Sequence, residues 1–432
     1  MREDGEANGL TLFRVVQNVF IGTWRRGGRG PGPARVPGHS NRGDYVATLV
    51  MDRPDRVATP WAEKVRVWLF KTLFTPLCGV TFHDWCRVLR ENHFAVDLPY
   101  WPRAAALTAG CWLNSVYLRR EMKEFGHLLE QVAVPPPLFI LGHWRSGTTL
   151  LQNLLALDDR FAYPNLYEVF FPHTFLTTED FRSEQVAPLI PSTRVMDNVA
   201  QGVQMPNEDE FATSTMSLRS PYMMWAFPRQ AARYERYLTF RDVPEADIAH
   251  WKEAFVLFVK KLTIRHQRPL VLKSPPHTCR IKLLLGLFPD ARFVHIRRDP
   301  YTIFQSTKHL NAVLTSSLQF QRQDPNDLDA AVLRRYRIMY DAYFEERDLI
   351  PEPHLHELAF EDLERDPIGQ TRRMYEALGL PSFDAVFPRL REYVGSLACY
   401  RKNEYPDLPP GLRGQIRDAW WRNFEAWGYP LD

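Results

Sequence analysis

The sequence predicts an α/β fold: a parallel β-sheet flanked by helices over residues 135–432, preceded by a linker and a helical extension over residues 1–134. Three observations carry that expectation. A short apolar run, Leu138-Phe139-Ile140-Leu141, follows three prolines that end any preceding helix, so it reads as a buried strand. The order strand, helix, strand recurs at 269–273, 277–288 and 292–298, a βαβ unit whose crossover is right-handed and whose strands are parallel. Between the first strand and a helix at 150–157 lies a loop with glycines at 142 and 147, the setting in which backbone N–H groups and the helix dipole attract anions.

The remaining elements follow in chain order. Residues 24–60 read as a linker, because 25–40 mix Gly, Pro and Arg with almost no large apolar side chain and cannot build a core. Stretches 61–73, 82–92 and 102–129 carry apolar residues at helical intervals. Downstream, 301–314 and 329–348 read as helices, 354–360 as a strand, and 367–378 and 412–427 as helices. No fixed-period repeat is present, which disfavours a solenoid.

Bulk composition narrows the class. Lys and Arg number 54 against 51 acidic residues, a net +3, which excludes a polyanion-coating protein and gives no reason to expect nucleic acid as a partner. The five cysteines, Cys78, Cys86, Cys111, Cys279 and Cys399, are scattered and form no C-x-x-C pair, so neither a zinc site nor a disulfide framework is expected and a reducing cytoplasm fits best. Residues 10–24 are interrupted by Arg14, Gln17 and Asn18, unlike a secretory segment. The longest uncharged run, 104–118, is shorter than the ~20 residues of a membrane span. Peripheral membrane contact through 61–82 and 104–118 stays open, with a buried helix pair the favoured reading.

The loop Gly142-His143-Trp144-Arg145-Ser146-Gly147-Thr148-Thr149 has the glycine spacing of a Walker A loop, but Thr148 stands where the lysine would reach the terminal phosphates of a nucleotide. The positive charge sits instead on Arg145, and the hydroxyls of Ser146, Thr148 and Thr149 cluster at the helix start. Such a loop suits a phosphate or sulfate better than Mg-ATP, and outweighs the bland alternative of a capped turn without a ligand. The segment resembles the 5′-phosphosulfate loop of sulfotransferases that use 3′-phosphoadenosine 5′-phosphosulfate (PAPS), in particular the bacterial-type branch with arginine in place of lysine.

A second element agrees. Arg298-Asp299-Pro300 ends a strand, and Ser306 follows on the next helix, a spacing similar to the family's 3′-phosphate element. Physically, a strand-end guanidinium offers bidentate phosphate contact and the serine a hydroxyl. Leu272-Lys273-Ser274-Pro275-Pro276-His277 resembles the family's lysine-bearing strand end, and Phe360-Glu361-Asp362-Leu363 with Asp366-Pro367 another of its segments. Tyr400-Arg401-Lys402 stands where basic cover for the 3′-phosphate is expected, although the family's glycine-rich clamp is not recognisable. The resemblance implies a P-loop NTPase-like sulfotransferase fold, PAPS as co-substrate and no metal, with Arg145, Ser146, Gly147, Thr148, Thr149, Arg298 and Ser306 binding the cofactor.

It further implies transfer of SO₃ to a hydroxyl or amine, a displacement governed by positioning and by cations such as Arg145 and Lys273. A hydroxyl acceptor calls for a base, and two candidates stand. His277 follows two prolines at an expected helix start, where a neutral imidazole is favoured; its alternative role is capping or packing. Glu208 and Glu210 belong to an acidic group; its alternative role is a capping box from Asn207 to Glu210, which leaves Glu208 free. Trp144 could wall the reacting group, and Tyr222, Trp225 and Phe227 either an acceptor pocket or the core. The acceptor, a small molecule, carbohydrate or lipid, is expected to meet loops within 160–250 and 310–330. The competing functions are a P-loop kinase of nucleotides or small molecules, opposed by Thr148, and a non-catalytic membrane-surface scaffold.

Overall fold

The computed structural model describes residues 70, 75, 77–194, 196–323, 328–397 and 403–431. The linker at 24–60, most of the helix expected at 61–73, Cys399, Arg401 and Lys402 lie outside the described residues. Four strands, β1 (Leu138–Leu141), β2 (Val271–Lys273), β3 (Arg292–Arg297) and β4 (Leu355–Ala359), form one parallel sheet in the order β2-β1-β3-β4. In register, Phe139 lies beside Leu272 and Phe293, and Ile296 beside Leu358. The expected βαβ unit therefore joins strands that are not neighbours: β1 runs between β2 and β3. The chain leaves β1 toward β2 on one side and β3 toward β4 on the other, so the switch point at which open parallel sheets bind ligands lies between β1 and β3.

Side chains of β1 alternate between two cores. Phe139 and Leu141 enter the larger one, Leu138 and Ile140 the smaller. The smaller core is closed by α3 (Thr148–Ala156), α12 (Pro367–Ala377) and α13 (Phe387–Ser396). The larger contains α1 (Phe82–Glu91), α2 (Trp101–Gln131), α7 (Glu245–His266), α9 (Pro300–Leu318), α10 (Leu328–Glu346) and α14 (Pro410–Trp427). Helix α2 packs on α7, and Leu107, Cys111, Phe125 and Leu129 join the core that covers the sheet. Glu121 of α2 pairs with the buried Lys261 of α7, so that neither charge is left unmatched.

Helix starts follow their sequence signals. Asp299 caps α9 by accepting from Thr302 N at 2.7 Å with Pro300 at the first position, and Asp366 caps α12 through Gly369 N at 2.8 Å with Pro367. Two expectations change. The helix expected at 277–288 is a 3₁₀ turn, Pro275–Cys279, followed by α8 (Ile281–Leu287); the break falls at Arg280, whose buried guanidinium is drawn toward Glu210. The loops expected within 160–250 are largely helical: α4 (Leu166–Phe170), α5 (Phe175–Val186) and α6 (Glu210–Ser217) precede α7. Every residue of α6 except Phe211 is buried, which erases the amphipathic period that would announce a helix. Between β4 and α12 lies the short helix α11 (Phe360–Arg365).

Phe139 is fully buried, stacked on Phe293 at 5.5 Å and edge-on to His277 at 5.3 Å. Phe139→Ala should cost about 3–5 kcal/mol, read as a lowered denaturant midpoint with unchanged slope.

Candidate functional site

The loop from β1 to α3 is shaped by its backbone. Gly142 and Gly147 have φ of 147° and 100°, and Arg145 adopts φ 72°. A Cβ on Gly142 would stand 2.6 Å from Ile296 O, and one on Gly147 2.3 Å from the Phe360 ring. The loop thus lies flat on the end of β3 and the start of α11, with the N-terminus of α3 turned to the adjoining cavity.

That packing gathers residues distant in sequence. Arg145 Nε donates to Ser306 Oγ at 2.8 Å, and Arg298 Nη1 to Arg145 O at 3.1 Å. The Arg298 guanidinium lies 4.2 Å from the centre of the Phe360 ring, and burial lowers its pKa. Ser306 Oγ is also 3.2 Å from Tyr405 Oη. Arg145, Gly147, Thr148, Thr149, Arg298 and Ser306 all line one cavity. Ser146 does not: its hydroxyl turns inward and donates to His143 O at 2.8 Å, locking the loop.

Two residues that sequence reasoning missed complete this end. Asp197 accepts from Arg145 Nη1 at 2.6 Å and from Arg194 Nη2 at 2.6 Å, while Arg194 Nη1 donates to Thr149 Oγ1 at 3.3 Å. Burial alone would raise the Asp197 pKa, but Arg194 and Arg145 outweigh it and hold the carboxyl at about 2. A carboxylate thereby lies between two guanidiniums beside the start of α3.

The acidic group resolves into three separate pairs with the strand-end segment 273–280. Glu208 Oε1 accepts from Lys273 Nζ at 2.8 Å, Asp209 Oδ2 lies 2.6 Å from His277 Nε2, and Glu210 takes two bonds from Arg280, at 2.8 and 3.1 Å. Glu208 lines the cavity; its other oxygen accepts from Tyr222 Oη, which itself accepts from Trp144 Nε1 at 3.3 Å. Burial and Glu208 raise the Tyr222 pKa well above its ordinary value, so the phenol keeps its proton. His277 and Glu210 are fully buried and do not line the cavity; His277 is packed between Phe139 and Phe255. Lys273 sits directly behind Glu208, and burial lowers its pKa against the pull of that carboxylate. The capping box expected from Asn207 is absent: α6 begins at Glu210, whose N–H donates to Ser274 Oγ at 2.8 Å.

The cavity encloses about 1130 Å³. Beyond Glu208 its wall becomes apolar, with Leu166, Phe170, Phe211, Trp225, Leu310 and Leu314. Trp144 lines it, whereas Tyr222 is buried behind Glu208 and Phe227 stacks on Phe320 in the core. No cluster of His, Cys, Asp and Glu able to hold a metal occurs among the described residues.

Comparison with known proteins bears on this geometry. The sulfotransferase family matches residues 136–385. The omega-hydroxy-beta-dihydromenaquinone-9 sulfotransferases Stf3 of Mycobacterium bovis and Mycobacterium tuberculosis are each 39% identical over 352 residues, 81% of this chain and 90% of theirs. Among solved structures, the fold is shared with sulfotransferase STF9 from Mycobacterium avium, at TM-score 0.61 and 17% identity over 88% of this chain and 99% of that one. It is also shared with STF1 from Mycobacterium tuberculosis, at TM-score 0.56 and 16% identity over 84% and 98%.

Two outcomes follow from the loop and its ion pairs. Gly147→Ala forces a side chain into the Phe360 ring at a left-handed φ and should destabilise the protein by about 1–3 kcal/mol in chemical denaturation. The depressed Asp197 pKa contributes stability above the ordinary carboxyl value of ~3.9 that is lost as pH falls toward the folded value. The stability gap between wild type and Asp197→Asn should therefore narrow from about pH 5 to about pH 3, measured by denaturant midpoints.

Proposed function

The chain belongs to the sulfotransferase family, and from that premise we propose that it transfers the sulfuryl group of PAPS to the hydroxyl of an apolar, lipid-like acceptor. One observation carries the reading: a single cavity has cations and a helix N-terminus at one end, Glu208 between, and an apolar wall at the other. The similarity to Stf3, whose name specifies a hydroxylated menaquinone, supports an acceptor of that class.

The residues present fit the donor. Arg145, the N–H groups at Gly147, Thr148 and Thr149, and the hydroxyls of Thr148 and Thr149 suit the 5′-phosphosulfate; Arg298 and Ser306 suit the 3′-phosphate. PAPS supplies an activated sulfuryl group whose transfer needs positioning and cationic stabilisation rather than covalent help from the protein. Arg194 adds a further guanidinium once Asp197 yields its place to the incoming anion.

Glu208 is the base. It lines the cavity and takes the proton of the acceptor hydroxyl as the new S–O bond forms and the S–O bond to the 5′-phosphate breaks, with 3′-phosphoadenosine 5′-phosphate as the leaving group. Tyr222 fixes one carboxylate oxygen and Lys273 the other, so accepting a proton weakens the bond to Lys273. The ammonium, one layer behind Glu208, then acts on the negative charge growing on the sulfuryl oxygens through its field rather than by contact. His277 and Glu210 act through packing: the buried pairs with Asp209 and Arg280 hold the start of α6, and with it Glu208, against the strand end.

Arg145→Ala and Arg298→Ala should each nearly abolish turnover with PAPS. Glu208→Gln should lower kcat by about 10²- to 10⁴-fold while leaving the affinity for 3′-phosphoadenosine 5′-phosphate unchanged by titration without magnesium. Near-normal turnover in any of the three contradicts the assignment.

A further inference from the structure

We propose that the outward face of α2, with the loop that precedes it, is a docking surface for an anionic lipid bilayer. The proposal rests on the apolar acceptor argued above and adds the route by which that acceptor arrives. An ordinary surface helix turns polar residues to water. On α2, Leu107, Cys111 and Asn114 face inward, while the solvent side presents Trp101, Ala105, Ala109, Trp112 and Val116 in helical succession. Trp101 is 58% exposed, Trp112 61% and Val116 44%; just upstream, Phe94 is 66% and Leu98 72% exposed. Single exposed apolar side chains are unremarkable, but a run along ~22 Å of one helix face marks an interaction surface.

Backbone conformation points the same way. His93 and Phe94 both adopt left-handed φ, 57° and 54°, an uncommon state for non-glycine residues, and that turn carries Phe94 out into solvent.

Charge identifies the occupant. Beyond Val116 the face gains three exposed cations within five residues, Arg119, Arg120 and Lys123, beside the exposed Met122, with the acids Glu124, 3.8 Å from Arg120, and Glu130 after them. Apolar side chains with tryptophans, followed by cations, match the acyl boundary, interface and headgroups of an anionic membrane. A second copy of this chain fits less well. Parallel packing would set the basic ends against each other, and antiparallel packing would bury them against apolar residues.

The loop before this face is also tied to a helix that lines the cavity. The loop before α2 is fastened to the end of α9 by Asp97 N to Phe320 O at 3.0 Å, Gln319 Nε2 to Tyr100 Oη at 2.6 Å, and Gln321 Nε2 to Ala95 O at 2.9 Å. Arg103 Nη1 adds a bond to Gln319 O at 2.8 Å. The same helix lines the apolar end of the cavity with Leu310, Leu314 and Leu318. Docking through α2 sets that end beside the bilayer, where a long-chain alcohol resides.

The test is flotation of the full-length protein with vesicles of phosphatidylcholine and phosphatidylglycerol, against vesicles of phosphatidylcholine alone. Wild type should float with the mixed vesicles. Trp101→Ser with Trp112→Ser should lower the bound fraction about tenfold, and Arg119→Glu with Arg120→Glu and Lys123→Glu should remove the preference for the anionic lipid. The tryptophan variant should keep its affinity for 3′-phosphoadenosine 5′-phosphate and its turnover of a short, water-soluble alcohol, but lose about tenfold in turnover of a vesicle-embedded one. Wild type left in the lipid-free fraction overturns the proposal. So does equal flotation of the tryptophan variant, or a dimer in sedimentation that the same variant dissociates. Flotation lost only in the variant, with neither alcohol sulfated by wild type, supports docking and overturns the acceptor reading instead.

Discussion

Gly147 stands at φ 100° with the Phe360 ring 2.3 Å from where a side chain would begin, and that approach governs the geometry of the whole charged end of the cavity. Because the loop lies so close to the end of β3, Arg145 O comes within reach of Arg298, and the Arg145 guanidinium within reach of Ser306. Ser146 uses its hydroxyl on the loop itself, so that the proposed anion contacts fall to backbone N–H groups and to the hydroxyls of Thr148 and Thr149. Sheet order serves the same end. With β1 between β2 and β3, the segment bearing Lys273 and the segment bearing Arg298 leave on opposite sides of the loop, so cations converge on it from both directions.

The second constraint is the row of acids at 208–210 set against the row of bases at 273, 277 and 280. Charges so buried are tolerated only in pairs, since removing one partner strands the other in a low-dielectric interior. Two of the pairs are fully enclosed and act as rivets between α6 and the turn after β2. The third lies at the cavity edge, where Glu208, the proposed base, meets Lys273. A single stretch of chain thus contains both the anchorage and the proposed base, and the closed pairs keep Glu208 in place at the cavity edge.

Most of the sheet and its flanking helices were legible in the sequence because their signals are local. The prolines before Leu138 mark β1, the Asp-Pro pairs at 299–300 and 366–367 mark helix starts, and the glycine spacing marks the phosphate loop. What was not legible depends on contacts made across the fold. Helix α6 shows no amphipathic period because it is buried almost all round, and Arg280 breaks its expected helix for the sake of Glu210, 70 residues away. His277 and Glu208 cannot be ranked as bases from sequence, since the difference between them is which one reaches the cavity. Asp197 and Arg194 lie in a segment with no motif, and only the folded chain sets them beside Arg145. One faint signal was present: the order Lys273, His277, Arg280 complements Glu208, Asp209, Glu210.

The long excursion between α3 and β2 supplies Leu166, Phe170, Phe211 and Trp225 to the apolar part of the cavity wall, whereas most of the proposed donor contacts arise at the ends of β1 and β3. The two halves of the active site are therefore largely separate inheritances. The excursion can diverge in length and side-chain volume without disturbing the charged end, provided that the acidic row stays riveted to its bases and Arg194 and Asp197 keep their places beside Thr149 and Arg145. For an engineer, the exchangeable cassette is the helical segment carrying Leu166 and Phe170 together with the short helix carrying Trp225, and the frame to be left untouched is the pair of glycines beneath Arg145 with Arg194 and Asp197 beside it.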